Sequence, residues 1–145
     1  SNDRLTRLGE EIDFSRFGKY SKIYLGAGWS VPENWGVWSM DKKATLQLPL
    51  PAKAPTALVI KAQAFIGGSK TDQMVDIKVN GAPQKPALLT QRFDNVIEIP
   101  LNQSILNSNQ LRVEFIFLSA ASPKSLGIGI DERPLAIGLK AISFK

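Results

Sequence analysis

Residues 28–39, Gly28-Trp29-Ser30-Val31-Pro32-Glu33-Asn34-Trp35-Gly36-Val37-Trp38-Ser39, gather all three tryptophans of the chain around a Glu-Asn pair. Indole rings beside a carboxylate and an amide suit a sugar. The apolar face of a pyranose stacks on a ring while the polar groups take up its hydroxyls. On this reading Trp29 and Trp35 are platforms, and Glu33 and Asn34 are their hydrogen-bonding neighbours. The opposing reading makes the rings core side chains at a corner shaped by Pro32 and Gly36, since large aromatics are mostly buried. An extended Trp35-Gly36-Val37-Trp38 would point its two rings to opposite faces, so that at most one of them is core.

A second cluster, Leu126-Gly127-Ile128-Gly129-Ile130-Asp131-Glu132-Arg133-Pro134, carries adjacent carboxylates. Adjacent side chains in an extended chain point apart, which is a poor arrangement for a general acid and base. The spaced Asp/Asn pattern of a calcium loop is missing. The favoured expectation is a tight turn in which Arg133 pairs with a carboxylate; in a glycan site, Asp131 and Arg133 would be polar support for the tryptophan segment. Gly26-Ala27-Gly28 and Gly127-Ile128-Gly129 lack the strand-to-helix setting of phosphate-binding loops. Ser30 and Ser39 lack a base partner. No cofactor is expected.

The chain of 145 residues has no cysteine and no histidine. Disulfides, zinc-thiolate sites, cysteine nucleophiles and a Ser-His-Asp arrangement are therefore excluded. Catalysis would fall to carboxylates, Lys, Arg or Tyr, and an enzyme is not expected. The net charge of +5 comes from 18 basic and 13 acidic residues. Apart from Lys42-Lys43 the basic residues are scattered singly, unlike the clustered face of a nucleic-acid binder. No apolar run approaches the roughly 20 residues that span a bilayer.

The elements that must position the two clusters are short and alternating. Strands are expected at Ile12-Asp13-Phe14, Lys22 to Leu25, Lys43 to Leu48, Ala57 to Ile66, Met74 to Val79, Asn95 to Leu101, Gln110 to Leu118 and Pro134 to Lys145. Asn80-Gly81 marks a type I′ hairpin whose return, broken by Pro83 and Pro86, is an edge or irregular. Ile105 and Leu106 suit one helical turn. In the last strand Leu135, Ile137 and Leu139 alternate in one phase and Ile142 and Phe144 in the other, which implies a bulge near Lys140-Ala141. About eight strands without crossover helices predict an all-β fold, an antiparallel sandwich of jelly-roll, carbohydrate-binding-module-like form. The opening Ser1-Asn2 looks like what a protease leaves after tag removal. Residues 1–11 are set apart as a lead-in, either a short helix or loose chain, before a single domain over residues 12–145.

The two clusters together carry a resemblance. Gly28-Trp29-Ser30, Pro32-Glu33, Trp35-Gly36 and Trp38-Ser39, then Leu126-Gly127, Asp131-Glu132-Arg133 and Leu135-Ala136-Ile137-Gly138-Leu139 with Ile142, are similar to a β-sandwich domain of unassigned function. That domain is found at the C-terminus of bacterial membrane proteins of glycan assembly, including polytopic glycosyltransferases and phosphoglycerol-transferase-like proteins. Met40 and Ala136 stand where its pattern has glycine. No residue role is established for it, so none is carried over. The resemblance implies an extracytoplasmic module, periplasmic or at the cell surface, tied to a membrane-embedded parent protein.

The expectation that follows is a non-catalytic accessory domain of a surface-glycan biosynthesis protein. It contacts glycan through Trp29, Glu33, Asn34, Trp35, Asp131 and Arg133, and has no nucleic-acid partner. The alternative is a sandwich that docks structurally on its parent or a partner and binds no ligand.

Overall fold

Alternating apolar and polar residues become strands across most of the chain. The computed structural model describes residues 6–145, which form β1 (Ile12–Asp13), β2 (Val37–Trp38), β3 (Lys43–Pro49), β4 (Ala57–Ala64), β5 (Gln73–Val79), β6 (Ala82–Pro83), β7 (Ala87–Leu89), β8 (Asn95–Pro100), β9 (Gln110–Phe117) and β10 (Ile137–Phe144). Two one-turn helices join them, α1 (Ser21–Tyr24) and α2 (Gln103–Leu106).

The strands build two five-stranded antiparallel sheets. The first runs β1-β10-β4-β8, and β2 also pairs with β10. Because β4 takes one whole edge of β10, β1 and β2 lie end to end along the other. The second sheet runs β3-β9-β5, with β6 and β7 both against β5. From β3 to β5 the strands alternate between the sheets, and β8, β9 and β10 alternate again, the connectivity of a jelly roll.

The inner faces carry the apolar phase of each strand. Leu58 and Ile60 of β4, and Leu139, Ile142 and Phe144 of β10, meet Leu46, Leu48, Val113 and Phe115 of the second sheet in one buried cluster. Lys61 and Gln63, in the opposite phase of β4, face outward. Register shifts between Leu139 and Ala141, at the expected bulge. The extra residue keeps both Leu139 and Ile142 inward and leaves Lys140 outside.

Asn80 and Gly81 have φ of 49° and 82°, the left-handed pair a type I′ turn requires. The return strand is split into β6 and β7, as its prolines foretold. The expected strand at Lys22 to Leu25 is instead α1, a correction with a clear cause. One helical turn brings Ser21 and Tyr24 inward together and leaves Ile23 exposed. Only Leu25 makes a bridge, to Leu46. From Thr6 onward the chain ahead of β1 is tied to the sandwich. Thr6 Oγ1 donates to the Pro49 carbonyl, and Gly9 N donates to that of Phe144. Residues 1–5 of the lead-in lie outside the described residues. Among the described residues no helix is long and apolar enough to cross a membrane.

Candidate functional site

The tryptophan segment is a hairpin. Met40 N donates to Gly28 O at 2.9 Å, Ser30 N to Trp38 O at 2.8 Å and Glu33 N to Gly36 O at 2.7 Å, which puts Asn34 and Trp35 at the tip. One arm ends in β2, so the hairpin is fastened along the edge of β10.

Trp29 leaves the proposed platform. It is 8% exposed, its Nε1–H donates to the Thr45 carbonyl at 2.8 Å, and its ring meets Phe115 edge-on at 6.1 Å. A ring filled in from both sides offers no face to a sugar. For this residue the corner reading holds.

Trp35 and Trp38 do not point to opposite faces. The opposition required an extended chain from 35 to 38, and the tip turn removes that condition. Gly36 lies against β10 so closely that a side chain there would run into the Leu139 carbonyl. With the tip folded over, the Trp35 ring lies across Gly138 on the outer face of the first sheet. A Cβ at Gly138 would sit 2.6 Å from two atoms of that ring. Trp38 pairs directly with Gly138, which pairs in turn with Gln63 of β4.

The outcome is a string of half-buried rings on the outer face. Trp35 and Trp38 are 5.0 Å apart and inclined at 69°, and Trp38 and Phe65 are 6.2 Å apart and inclined at 89°. Perpendicular neighbours of this kind use the positive edge of one ring against the negative face of the next. Gln63 lies in the same row and lines one depression with Trp38 and Phe65.

Glu33 and Asn34 are exposed at the tip. The main-chain carbonyl of Glu33 accepts from Arg16 N at 2.8 Å, which ties the tip to the segment after β1. Asp131 and Arg133 form the expected pair. Arg133 Nη2 donates to Asp131 Oδ2 at 2.6 Å, its Nε donates to both carboxylate oxygens, and its main-chain N–H donates to Oδ1 at 2.9 Å. These bonds, from the guanidinium first and the main chain next, hold the Asp131 carboxyl below the usual carboxylate range. The bond to Asp131 likewise strengthens the charged form of Arg133, and the nearby Glu33 charge adds to it.

The free arm of that guanidinium reaches the hairpin. Arg133 Nη1 donates to Ser30 Oγ at 2.9 Å. Ser30 lies opposite Trp38, so the loop before β10 and the aromatic string are joined side by side. Glu132 turns to Lys124 instead, at 2.8 Å. The two neighbouring carboxylates thus serve separate cations and do not face each other across a cleft.

Two depressions flank the rings on the outer face. One of about 590 Å³ is lined by Trp35, Lys61, Lys140, Asp94 and Val96 among others. The other, of about 430 Å³, is lined by Trp38, Gln63, Phe65, Arg92 and Ile128 among others. Phe93, 57% exposed, lines both. Sequence reasoning singled out none of Gln63, Phe65 or Phe93 as site residues. Phe65 did carry a signal, a large ring in the outward phase of β4. Phe93 carried none, because only the folded 90–94 loop brings it to the face.

The two antiparallel sheets form a sandwich that resembles known folds. The chain is similar to a carbohydrate-binding module, CBM36, solved in complex with calcium and xylotriose, at 10% identity and TM-score 0.51 over 94% of this chain and 99% of that one. It is similar also to a family 6 carbohydrate-binding module, at 7% identity and TM-score 0.53 over 98% and 97% of the two chains. An acetyl xylan esterase (Est2A) from the rumen bacterium Butyrivibrio proteoclasticus shares the fold at 12% identity and TM-score 0.56; 94% of this chain matches, over only 32% of the esterase. By sequence the chain belongs to the family described as Domain of unknown function (DUF7024), which matches residues 1–145. Among curated proteins none matches it in sequence. Among the described residues no three His, Cys, Asp or Glu side chains gather where they would hold a metal ion.

Proposed function

We propose that this domain binds carbohydrate, without catalysis, on the outer face of its first sheet. The observation that carries the reading is the contiguous string Trp35, Trp38 and Phe65 beside Gln63. Half-buried rings on the outer side of a sheet still present apolar surface to water, and apolar surface clustered in this way marks a binding face. Sugar rings present apolar C–H faces and polar rims, which such a strip with adjoining amide and charged groups complements. Of the residues expected from sequence, Trp35 stacks on the ligand and Glu33 and Asn34 border it at the hairpin tip. Asp131 and Arg133 hold the hairpin from behind. Likeness in fold to carbohydrate-binding modules supports the same reading.

The domain's place is that of an accessory module of a membrane-bound protein of surface-glycan assembly, of the glycosyltransferase or phosphoglycerol-transferase type. There it would lie in the periplasm or at the cell surface and meet the glycan its parent makes or moves. The two sequence clusters described above support this placement.

Affinity electrophoresis through gels containing soluble polysaccharides tests the binding, followed by calorimetry on whichever retards the protein. Retardation that Trp38→Ala abolishes, in a variant that still unfolds cooperatively, is the expected result. No retardation by any polysaccharide, with Trp35→Ala and Trp38→Ala altering only stability, would overturn it in favour of a docking sandwich.

A further inference from the structure

Resting on that glycan-binding reading, we infer that the site is a groove for several consecutive sugars of an uncharged linear glycan, and that the Lys140–Asp94 ion pair reads the sugar at its middle. The two depressions follow one another along β4. The first takes Lys61 and Ala62, and the second takes residues 63–68. Lys61 to Phe65 alone is about 13 Å of extended chain, longer than one sugar ring. Trp35 and Trp38 form one wall, and the 90–94 loop with Phe93 forms the other.

The charges in this groove cancel. Its lining carries Glu11, Asp13 and Asp94 together with Lys61, Lys140 and Arg92. A chain of net charge +5 thus presents no net charge here. Lys61 Nζ donates to Glu11 at 2.8 Å, and Ser15 N and Oγ donate to Asp13 at 2.8 and 2.9 Å. With these charges already partnered, a uronate or phosphate ligand would gain no field to steer it. Hydroxyl groups, which both donate and accept, fit a surface of paired donors and acceptors.

The Lys140–Asp94 pair crosses the groove. Lys140 stands on β10 at the bulge, and Asp94 directly precedes Asn95, which pairs with Ala62 of β4. The two side chains together therefore bridge two strand spacings, about 10 Å, over the backbone of Ala62. Ala62 itself points into the core and is 1% exposed, so its own side chain leaves the way open. The N–O distance is 3.9 Å and the Asp94 side chain is 91% exposed. An open, exposed pair of this sort contributes little to stability. Both residues line the first depression, and Asp94 directly follows Phe93, which lines both, so the pair offers an ammonium donor and a carboxylate acceptor to one and the same sugar.

Calorimetry on the whole domain tests this. The probes are neutral xylo-, cello- and β-1,3-galacto-oligosaccharides from monosaccharide to hexasaccharide, with polygalacturonate as the charged control. Affinity is expected to rise at least tenfold from disaccharide to tetrasaccharide in the series that binds. Asp94→Ala should lower affinity for the long oligosaccharides several-fold, with no shift in unfolding midpoint. Full affinity already at the monosaccharide, preference for polygalacturonate, or an Asp94→Ala variant that binds like the parent would overturn the inference. If Trp38→Ala still abolishes binding in those cases, glycan binding stands and only the groove assignment falls. No binding to any probe overturns both.

Discussion

Arg133 Nη1 donates to Ser30 Oγ at 2.9 Å and thereby joins residues 103 positions apart in the chain. The same guanidinium grips Asp131 in a fork, so the loop before β10 and the tryptophan hairpin share one polar clamp. Ser30 in turn donates its main-chain N–H to the Trp38 carbonyl, so on the proposed reading the clamp would steady one wall of the groove.

Removing the clamp should therefore affect binding more than folding. The Arg133 and Asp131 side chains are about a third exposed, at 37% and 33%. Pairs that water reaches contribute about 1 kcal/mol or less. Arg133→Ala is expected to move the urea midpoint only slightly while the emission of the hairpin tryptophans shifts and glycan affinity drops several-fold. Arg133→Lys should not restore either signal, since an ammonium cannot hold Asp131 and Ser30 at once in a planar fork. Restoration by lysine would show that charge alone is what matters.

The same pair has a pH signature with a definite sign. Asp131 titrates lower in the folded protein than in the unfolded chain. Its contribution is then fully present above the ordinary aspartate value of about 3.9. It is lost as pH falls through the lower folded value, because the unfolded state takes up the proton first. The stability difference between the parent and Asp131→Asn should be flat from neutral pH to about 4 and shrink below that. Denaturation series at stepped pH would measure it. A difference that begins to shrink near pH 6 would point to some other titrating group.

Much of this frame was legible in the residues themselves, for reasons that are local. Asn80-Gly81 could be read as a turn because two consecutive left-handed residues have few other uses. The bulge at Lys140 followed from a phase change between Leu139 and Ile142, which no regular strand accommodates. The orientation of Trp35 was not legible. Alternation predicts opposite faces for Trp35 and Trp38, and only the contact of Gly36 with the Leu139 carbonyl shows that the tip folds over instead. The strand expected at Lys22 to Leu25 failed because burial of Tyr24 outweighed the β-favouring pattern of its neighbours. The Arg133–Asp131 pair was legible because the two lie in one tight turn. Phe93 at the face and the bond from Arg133 to Ser30 were not, because no spacing along the chain encodes a meeting with another loop.

Trp29 should behave as the opposite of Trp38. Its ring fills the corner against Phe115 and its Nε1–H satisfies the Thr45 carbonyl. Trp29→Ala leaves a cavity at this corner, and truncations of this size cost about 3–5 kcal/mol. Trp29→Phe should cost less, because it keeps most of the packing and loses the hydrogen bond. Measured on the folded fraction, glycan affinity should be near that of the parent in Trp29→Phe. A large affinity loss there with little loss of stability would return Trp29 to the binding site.

Gly138 offers a test of the aromatic string that does not touch a ring. A methyl group at this position would sit 2.6 Å from Cη2 and Cζ3 of Trp35, closer than atoms can approach, so the ring must move. The backbone of β10 cannot yield, because both its edges are paired at this residue, to Trp38 and to Gln63. Gly138→Ala is expected to destabilise the fold by about 1–3 kcal/mol, as overpacking does. It should also separate the Trp35 and Trp38 rings, a change that near-ultraviolet circular dichroism detects through their coupled transitions. Trp35→Ala made in the same chain removes the atoms that clash. The double variant should then be more stable than the sum of the two single losses predicts, with a coupling of about 1 kcal/mol or more. Strict additivity would mean that Trp35 does not rest on Gly138 in solution, and the groove would lose the wall that this contact holds in place.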